Sequence, residues 1–229
     1  MAGTLLVLLI STIRSGLAIA ANRPRCDLAA DVALASEDYP TAILLHQRLV
    51  RSEKNNAIAH YHLGFAYGML RDVNKEIHEY RVAAKLGLKQ WDLFLNLGIA
   101  YYAENRLKNA TSAFEAAAAL GAEHTEAHFN LALVYERAGR YEDALREVIT
   151  SLALNPDDAD AYNTAAIIYA RMGDFAEARR ILTRLLMVAP SYAPARVNLT
   201  ILSRSCVEDV GACSQLHSPN LLLQQSLEE

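Results

Sequence analysis

Cysteine is scarce in this chain, with three in 229 residues. That is too few for a disulfide scaffold. Proline and glycine are also few, at six and ten. An all-β domain needs many turns, so their shortage points to helix. Neither sign of charge dominates: 22 Lys and Arg stand against 26 Asp and Glu, a net charge of −4. That balance argues against a dedicated nucleic-acid binder, which is usually basic. No C-x-x-C, glycine-rich phosphate loop or G-x-S-x-G occurs, so the local signatures of thioredoxin-like, nucleotide-binding and serine-hydrolase chemistry are missing. What the chain does have is apolar residues, 52% of the total against 21% charged, enough for a sizeable folded core.

The N-terminus differs from the rest. Leu5 to Ile13 is a short apolar run, and Ala18-Ile19-Ala20 is a small-x-small motif. That order reads as a secretory signal peptide over residues 1–20, cut after Ala20. Two features stand against it: no Lys or Arg precedes the run, and Arg14 follows it closely. The alternatives are an uncleaved membrane anchor, which Arg14 would oppose by roughly 2.5–3.5 kcal/mol, and a mis-assigned start. Arg23-Pro24-Arg25 before Cys26 does not suit a bacterial lipoprotein. The expected location is extracytoplasmic, either periplasmic or secreted. A membrane-anchored form is the alternative.

A period of 34 residues organises the rest. Tyr67, Tyr101, Tyr135 and Tyr169 keep that spacing. Leu63, Leu97 and Leu131 share a second column, continued by Ala165. Gly64, Gly98, Ala132 and Ala166 form a column of small residues. Ala42, Ala110, Ala144 and Ala178 form another, broken by Glu76. Tyr39, Leu107, Tyr141 and Phe175 form a large apolar column in which Val73 is the weaker member. In the stretch beginning at Thr125, apolar residues recur at helical spacing on either side of Gly139. Gly139 and Gly173 suit the left-handed residue that ends a helix. Pro156 and Pro190 stop the helices that follow. Each unit is a helix hairpin with an unfinished apolar face, completed by stacking on its neighbour.

This pattern resembles the tetratricopeptide repeat (TPR) family over about residues 23–204. The resemblance implies an all-α fold, a right-handed α-α superhelix of about five hairpins plus a C-terminal capping helix. The units fall near 23–56, 57–90, 91–124, 125–158 and 159–192, with the cap at 193–204, so the solenoid covers 21–205. The first unit keeps Tyr39, Ala42 and Leu49 but is otherwise degenerate. Glu76 puts helix packing in doubt in the second. Residues 206–229 form a tail without repeat register, in which Ser218-Pro219 suits the start of a short helix.

No set of residues has catalytic spacing, so the chain reads as a non-enzyme with no cofactor and no metal. His124 and His128 are four apart, but Glu126 is out of place for an H-E-x-x-H site. His128 shares a column with His60, a packing position. His62 points away from His60 on a helix. Cys206 and Cys213, seven apart, form a possible disulfide, leaving Cys26 unpaired. Asn109 and Asn198 open glycosylation-type triplets that matter only in a eukaryotic secretory pathway.

In the TPR family the first helix of each unit lines a concave surface. That resemblance implies a peptide-binding groove made by Tyr61, Phe65 and Met69, then Leu95, Asn96, Ile99 and Tyr102. Phe129, Asn130, Leu133 and Arg137 follow, then Asn163, Ile167 and Arg171. Leu95, Ile99 and Phe129 stand where a carboxylate clamp would need polar groups. Arg137 and Arg171 suit one acidic group on an otherwise apolar ligand. The function expected is a protein–protein interaction scaffold for an apolar or amphipathic segment, acting in assembly, secretion or localisation of an envelope complex. The alternative is a structural protein that self-associates through its tail or Cys26. Residues 1–20 imply possible membrane proximity, and no nucleic-acid partner is expected.

Overall fold

The computed structural model describes residues 27–204. The segment 1–20, Cys26, Cys206, Cys213 and the tail lie outside them. Every regular element among the described residues is a helix. They divide into two compact bodies after Leu88. The first holds α1 (Leu28–Ala35), α2 (Tyr39–Ser52), α3 (Ala57–Met69) and α4 (Val73–Lys85). The second holds α5 (Trp91–Ala103), α6 (Leu107–Leu120), α7 (Thr125–Arg137), α8 (Tyr141–Leu154), α9 (Ala159–Arg171), α10 (Phe175–Val188) and α11 (Ala193–Arg204). First helices start at Ala57, Trp91, Thr125, Ala159 and Ala193, so the 34-residue period is kept from Ala57 onward.

The loop between the two helices of a unit repeats as closely as the helices do. Glu37, Arg71, Asn105, Gly139 and Gly173 all have positive φ, between 55° and 87°. They are 34 apart and follow the first helix of each unit. Each ends that helix with the same pair of bonds. In the third unit Arg106 N donates to Tyr101 O at 2.8 Å and Asn105 N to Tyr102 O at 2.9 Å. The same pair recurs on Ala33, Tyr67, Tyr135 and Tyr169. This is the Schellman arrangement, which satisfies the last carbonyls of a helix. Only two of the five positions carry the glycine this conformation favours.

The residue that starts the second helix varies. Asp38, Asp72 and Asp174 accept from backbone N–H groups of the first turn. Arg106 and Arg140 hold the equivalent positions and make no such cap. Their guanidinium groups instead lie 4.6 Å over the Tyr101 ring and 4.3 Å over the Tyr135 ring, a cation–π contact in place of a cap.

The core follows from small residues facing large ones. A Cβ on Gly64 would sit 2.6 Å from the Tyr80 ring, and one on Gly98 would sit 2.5 Å from the Phe114 ring. Glycine therefore lets an aromatic side chain lie against the first helix in these two units. Where the first helix carries Ala132 or Ala166, the facing column holds the smaller Val148 or Leu182, all of them buried. Conserved total volume keeps the packing close. Glu76 does not disrupt α4. It is 8% exposed, and its carboxyl occupies the space at Gly68, whose Cβ would meet it at 2.8 Å.

In the second body each first helix packs on the next: α5 on α7, α7 on α9 and α9 on α11. The two central ones, α7 and α9, bury eight residues each, against five for α5. None of the described helices is long and apolar enough to cross a membrane.

Candidate functional site

The face formed by the first helices is best described body by body. In the first body Tyr61, Phe65 and Met69 of α3 are half-buried. Their spacing of four residues puts them in one row along the helix. The Tyr61 ring lies 5.8 Å from that of Tyr80 and 5.7 Å from that of His62, so part of it is engaged in packing.

In the second body Leu95, Asn96, Ile99 and Tyr102 of α5 are likewise half-buried. Leu95, Ile99 and Tyr102 follow i, i+4, i+7 spacing and form an apolar row. The Arg137 guanidinium lies 4.8 Å over the Tyr102 ring. Burial raises the Tyr102 pKa, and Arg137 partly opposes that shift. Arg171 Nε donates to Glu136 Oε1 at 3.3 Å. The two arginines thus already have partners, Tyr102 and Glu136, at one end of the row.

Five of the residues expected along the groove are buried. Phe129 is 2% exposed and Asn130, Leu133, Asn163 and Ile167 are 1% or less. They lie on α7 and α9, which are flanked on both sides by other first helices. Asn198 Nδ2 donates to Asn163 Oδ1 at 2.9 Å, and Asn130 Nδ2 donates to Glu126 O at 2.8 Å. The Asn163–Asn198 bond joins α9 to α11, while the Asn130 bond closes on its own helix. Asn198 is itself fully buried, which makes its glycosylation-type triplet a packing residue, whereas Asn109 is exposed.

Five of the six described histidines sort into three arrangements, and the sixth, His78, is exposed. His60 Nδ1 lies 2.6 Å from Glu79 Oε2, and His128 Nδ1 lies 2.8 Å from Glu147 Oε2. Both pairs join the two helices of one hairpin at the same register position. His124 stacks on Trp91, with ring centroids 3.7 Å apart. The third arrangement joins Asp31 of α1, His46 of α2 and His62 of α3. One ligand atom from each lies within 4.8 Å of the other two. Burial first and the neighbouring His62 second lower the His46 pKa, Asp31 and Asp27 oppose them, and the net value is about 4. The imidazole is therefore neutral at pH 7. No motif spacing in the sequence links these three residues.

A separate cleft of about 490 Å3 opens in the second body between the α8–α9 loop and α10, lined in part by Pro156, Tyr162, Arg184 and Val188. It includes none of the residues expected in the groove.

Residues 123–191 match the family model described as tetratricopeptide repeat. No curated protein matches the chain at a significant level. Among solved structures, the chain is similar to YrrB, described as a TPR protein with an unusual peptide-binding site. The TM-score is 0.70 at 21% identity, covering 79% of this chain and 94% of that one. It is also similar to MamA, with TM-score 0.67 at 22% identity over 72% and 90% of the two chains. MamA from Desulfovibrio magneticus RS-1 matches with TM-score 0.67 at 19% identity, over 71% and 92%. Identities this low speak to the fold alone. Residues 123–191 thus match the tetratricopeptide repeat, and the described residues share the all-α fold of these TPR structures.

Proposed function

We propose that this tetratricopeptide-repeat scaffold is a non-catalytic protein-binding module for an apolar or amphipathic peptide segment. The observation that carries the reading is the half-buried row Leu95, Ile99 and Tyr102 on α5. The core has its own columns, such as Leu97 and Tyr101, each 6% exposed. The equivalent Phe129, Leu133 and Ile167 are buried, whereas this row keeps part of its apolar surface exposed, the kind that marks an interaction site. Tyr61, Phe65 and Met69 offer a similar row in the first body, and Asn96 supplies a polar group beside the α5 row. YrrB, similar in fold, is described as having an unusual peptide-binding site, which supports the same class of ligand here. Arg137, seated on Tyr102, brings positive charge to the end of the row for one acidic group on the ligand, while Arg171 is paired with Glu136. The N-terminal segment 1–20 supports an extracytoplasmic site of action, in assembly, secretion or localisation of an envelope complex.

The test is a random peptide display library panned on the folded chain, on Ile99→Asp and on Tyr102→Ala. Circular dichroism establishes that all three are folded. Enriched peptides should carry apolar anchors and lose binding to both variants. Peptides that bind the variants as well as the parent, or no enrichment at all, contradict the reading.

A further inference from the structure

We propose that Asp31, His46 and His62 form a three-ligand site for a divalent transition-metal ion of the zinc class, with water completing its coordination. The donors come from α1, α2 and α3, so three packed helices fix the site. Asp31 Oδ1 lies 3.2 Å from His62 Nδ1 and 4.0 Å from His46 Nε2. Tetrahedral zinc with bonds of about 2.0–2.1 Å needs donors roughly 3.3 Å apart. Side-chain rotation brings a set lying within 4.8 Å to that spacing.

His46 supplies the second observation. It is 1% exposed, and neither of its ring nitrogens has a hydrogen-bond partner. A neutral imidazole has one donor and one acceptor nitrogen. Leaving both unsatisfied in a core is costly, and a metal ion at the Asp31 carboxylate gives the acceptor nitrogen its partner. The His46 and His62 ring centroids are 5.1 Å apart with their planes at 70°.

The repeat register shows that the fold does not require these residues. The His46 column elsewhere holds Tyr80, Phe114, Val148 and Leu182, all buried and apolar. The Asp31 column holds Phe65, Ile99, Leu133 and Ile167. The first unit departs from an apolar residue at both positions, and the two departures converge on one point. The histidines at 60 and 128, by contrast, each have a glutamate. Access is from the side of Asp31 and His62, which are 34% and 25% exposed. Two imidazoles and one carboxylate favour zinc and its transition-metal neighbours over calcium or magnesium, which take oxygen donors.

The full chain, untagged and stripped with a chelator, is titrated with Zn2+ by calorimetry, with Co2+ as a spectroscopic probe and Ca2+ in parallel. The expected result is one Zn2+ per chain and a melting temperature raised by several degrees. Co2+ should give an intense visible spectrum, and Ca2+ should give no response. His62→Ala and His46→Leu should each weaken zinc binding by at least roughly 100-fold. His46→Leu restores the apolar residue of its column, so the metal-free protein should melt no lower than the parent. His62→Ala, at a partly exposed position, provides a second folded variant. His128→Ala should bind zinc as the parent does. Absence of zinc binding by the folded parent overturns the proposal. So does parent-like affinity in both site variants, a loss confined to His128→Ala, or a calcium response equal to that of zinc.

Discussion

The two bodies share one period and one loop geometry but fill their cores differently. In the second body the facing column is Phe114, Val148 and Leu182, and the small column is Ala110, Ala144 and Ala178. In the first body the same columns hold His46 and Glu76, both buried. The second body thus builds its core from apolar side chains alone at these positions. The first places a neutral imidazole and a carboxyl group there. The comparison teaches that the repeat specifies backbone and volume more tightly than chemistry. A titratable side chain is accommodated where its neighbour leaves room, as Gly68 does for Glu76.

The largest expected effect contrasts one column in the two bodies. Phe114 is fully buried, so Phe114→Ala should cost about 3–5 kcal/mol in denaturant unfolding. In metal-free protein, His46→Ala should cost less than half of that, because it also removes two unsatisfied nitrogens. Equal costs would erase the distinction between the two cores.

The next effect is a pH dependence confined to the first body. Burial pushes the Glu76 pKa from 4.5 up to about 7. Between those values the native state holds a proton that the unfolded chain has released. The Glu76 contribution to stability should therefore fall as pH rises from about 4.5 through about 7, by on the order of 3 kcal/mol, against an opposite rise from the lowered His46 pKa. Below that window both states are protonated and the contribution is fully present. Glu76→Gln should remove this fall, measured as the difference between the two proteins across the window. Parallel profiles would contradict the assignment.

The same carboxyl should couple to Gly68. Gly68→Ala puts a Cβ 2.8 Å from the Glu76 carboxyl, a clash expected to cost about 1–3 kcal/mol. In a Glu76→Ala background the same change should cost much less, because the space has been vacated. Additive effects in this double-mutant cycle would mean the two positions do not share that space.

Smaller still is the loop strain. Arg71 holds φ 60° and Asn105 holds φ 55° at equivalent positions. Arg71→Gly should stabilise the first body by about 1 kcal/mol. Asn105→Gly should gain less in the second, because asparagine tolerates the left-handed region. The smallest change belongs to Arg140→Ala, which removes the stack on Tyr135 and the 2.6 Å bond to Asp143. Its melting temperature should move far less than that of Tyr135→Ala, and equal shifts would overturn the register.

The framework was legible in the sequence because it depends on spacing. Helix starts at Ala57, Trp91, Thr125, Ala159 and Ala193 follow from the 34-residue columns, and Pro156 and Pro190 follow the helices they were expected to stop. The candidate surface was legible only in part. Tyr61, Leu95, Phe129 and Asn163 share one column, yet the first two are half-buried and the last two are buried. In the second body the buried pair lie on α7 and α9, which have first helices on both sides, a property of packing that residue type does not reveal. The Asp31, His46 and His62 cluster was missed because its members lie on three helices with no motif spacing. The available signal was a departure from the column: an aspartate and a histidine where other units carry apolar residues.

The central claim is that the α5 row is the surface a peptide occupies. A photoreactive residue placed at position 99, or at the 78% exposed position 187 of α10, tests it directly with an enriched, apolar-anchored peptide. The account predicts crosslinks from position 99 and none above background from position 187. Crosslinks from 187 with none from 99 would contradict it and move binding to the second-helix face.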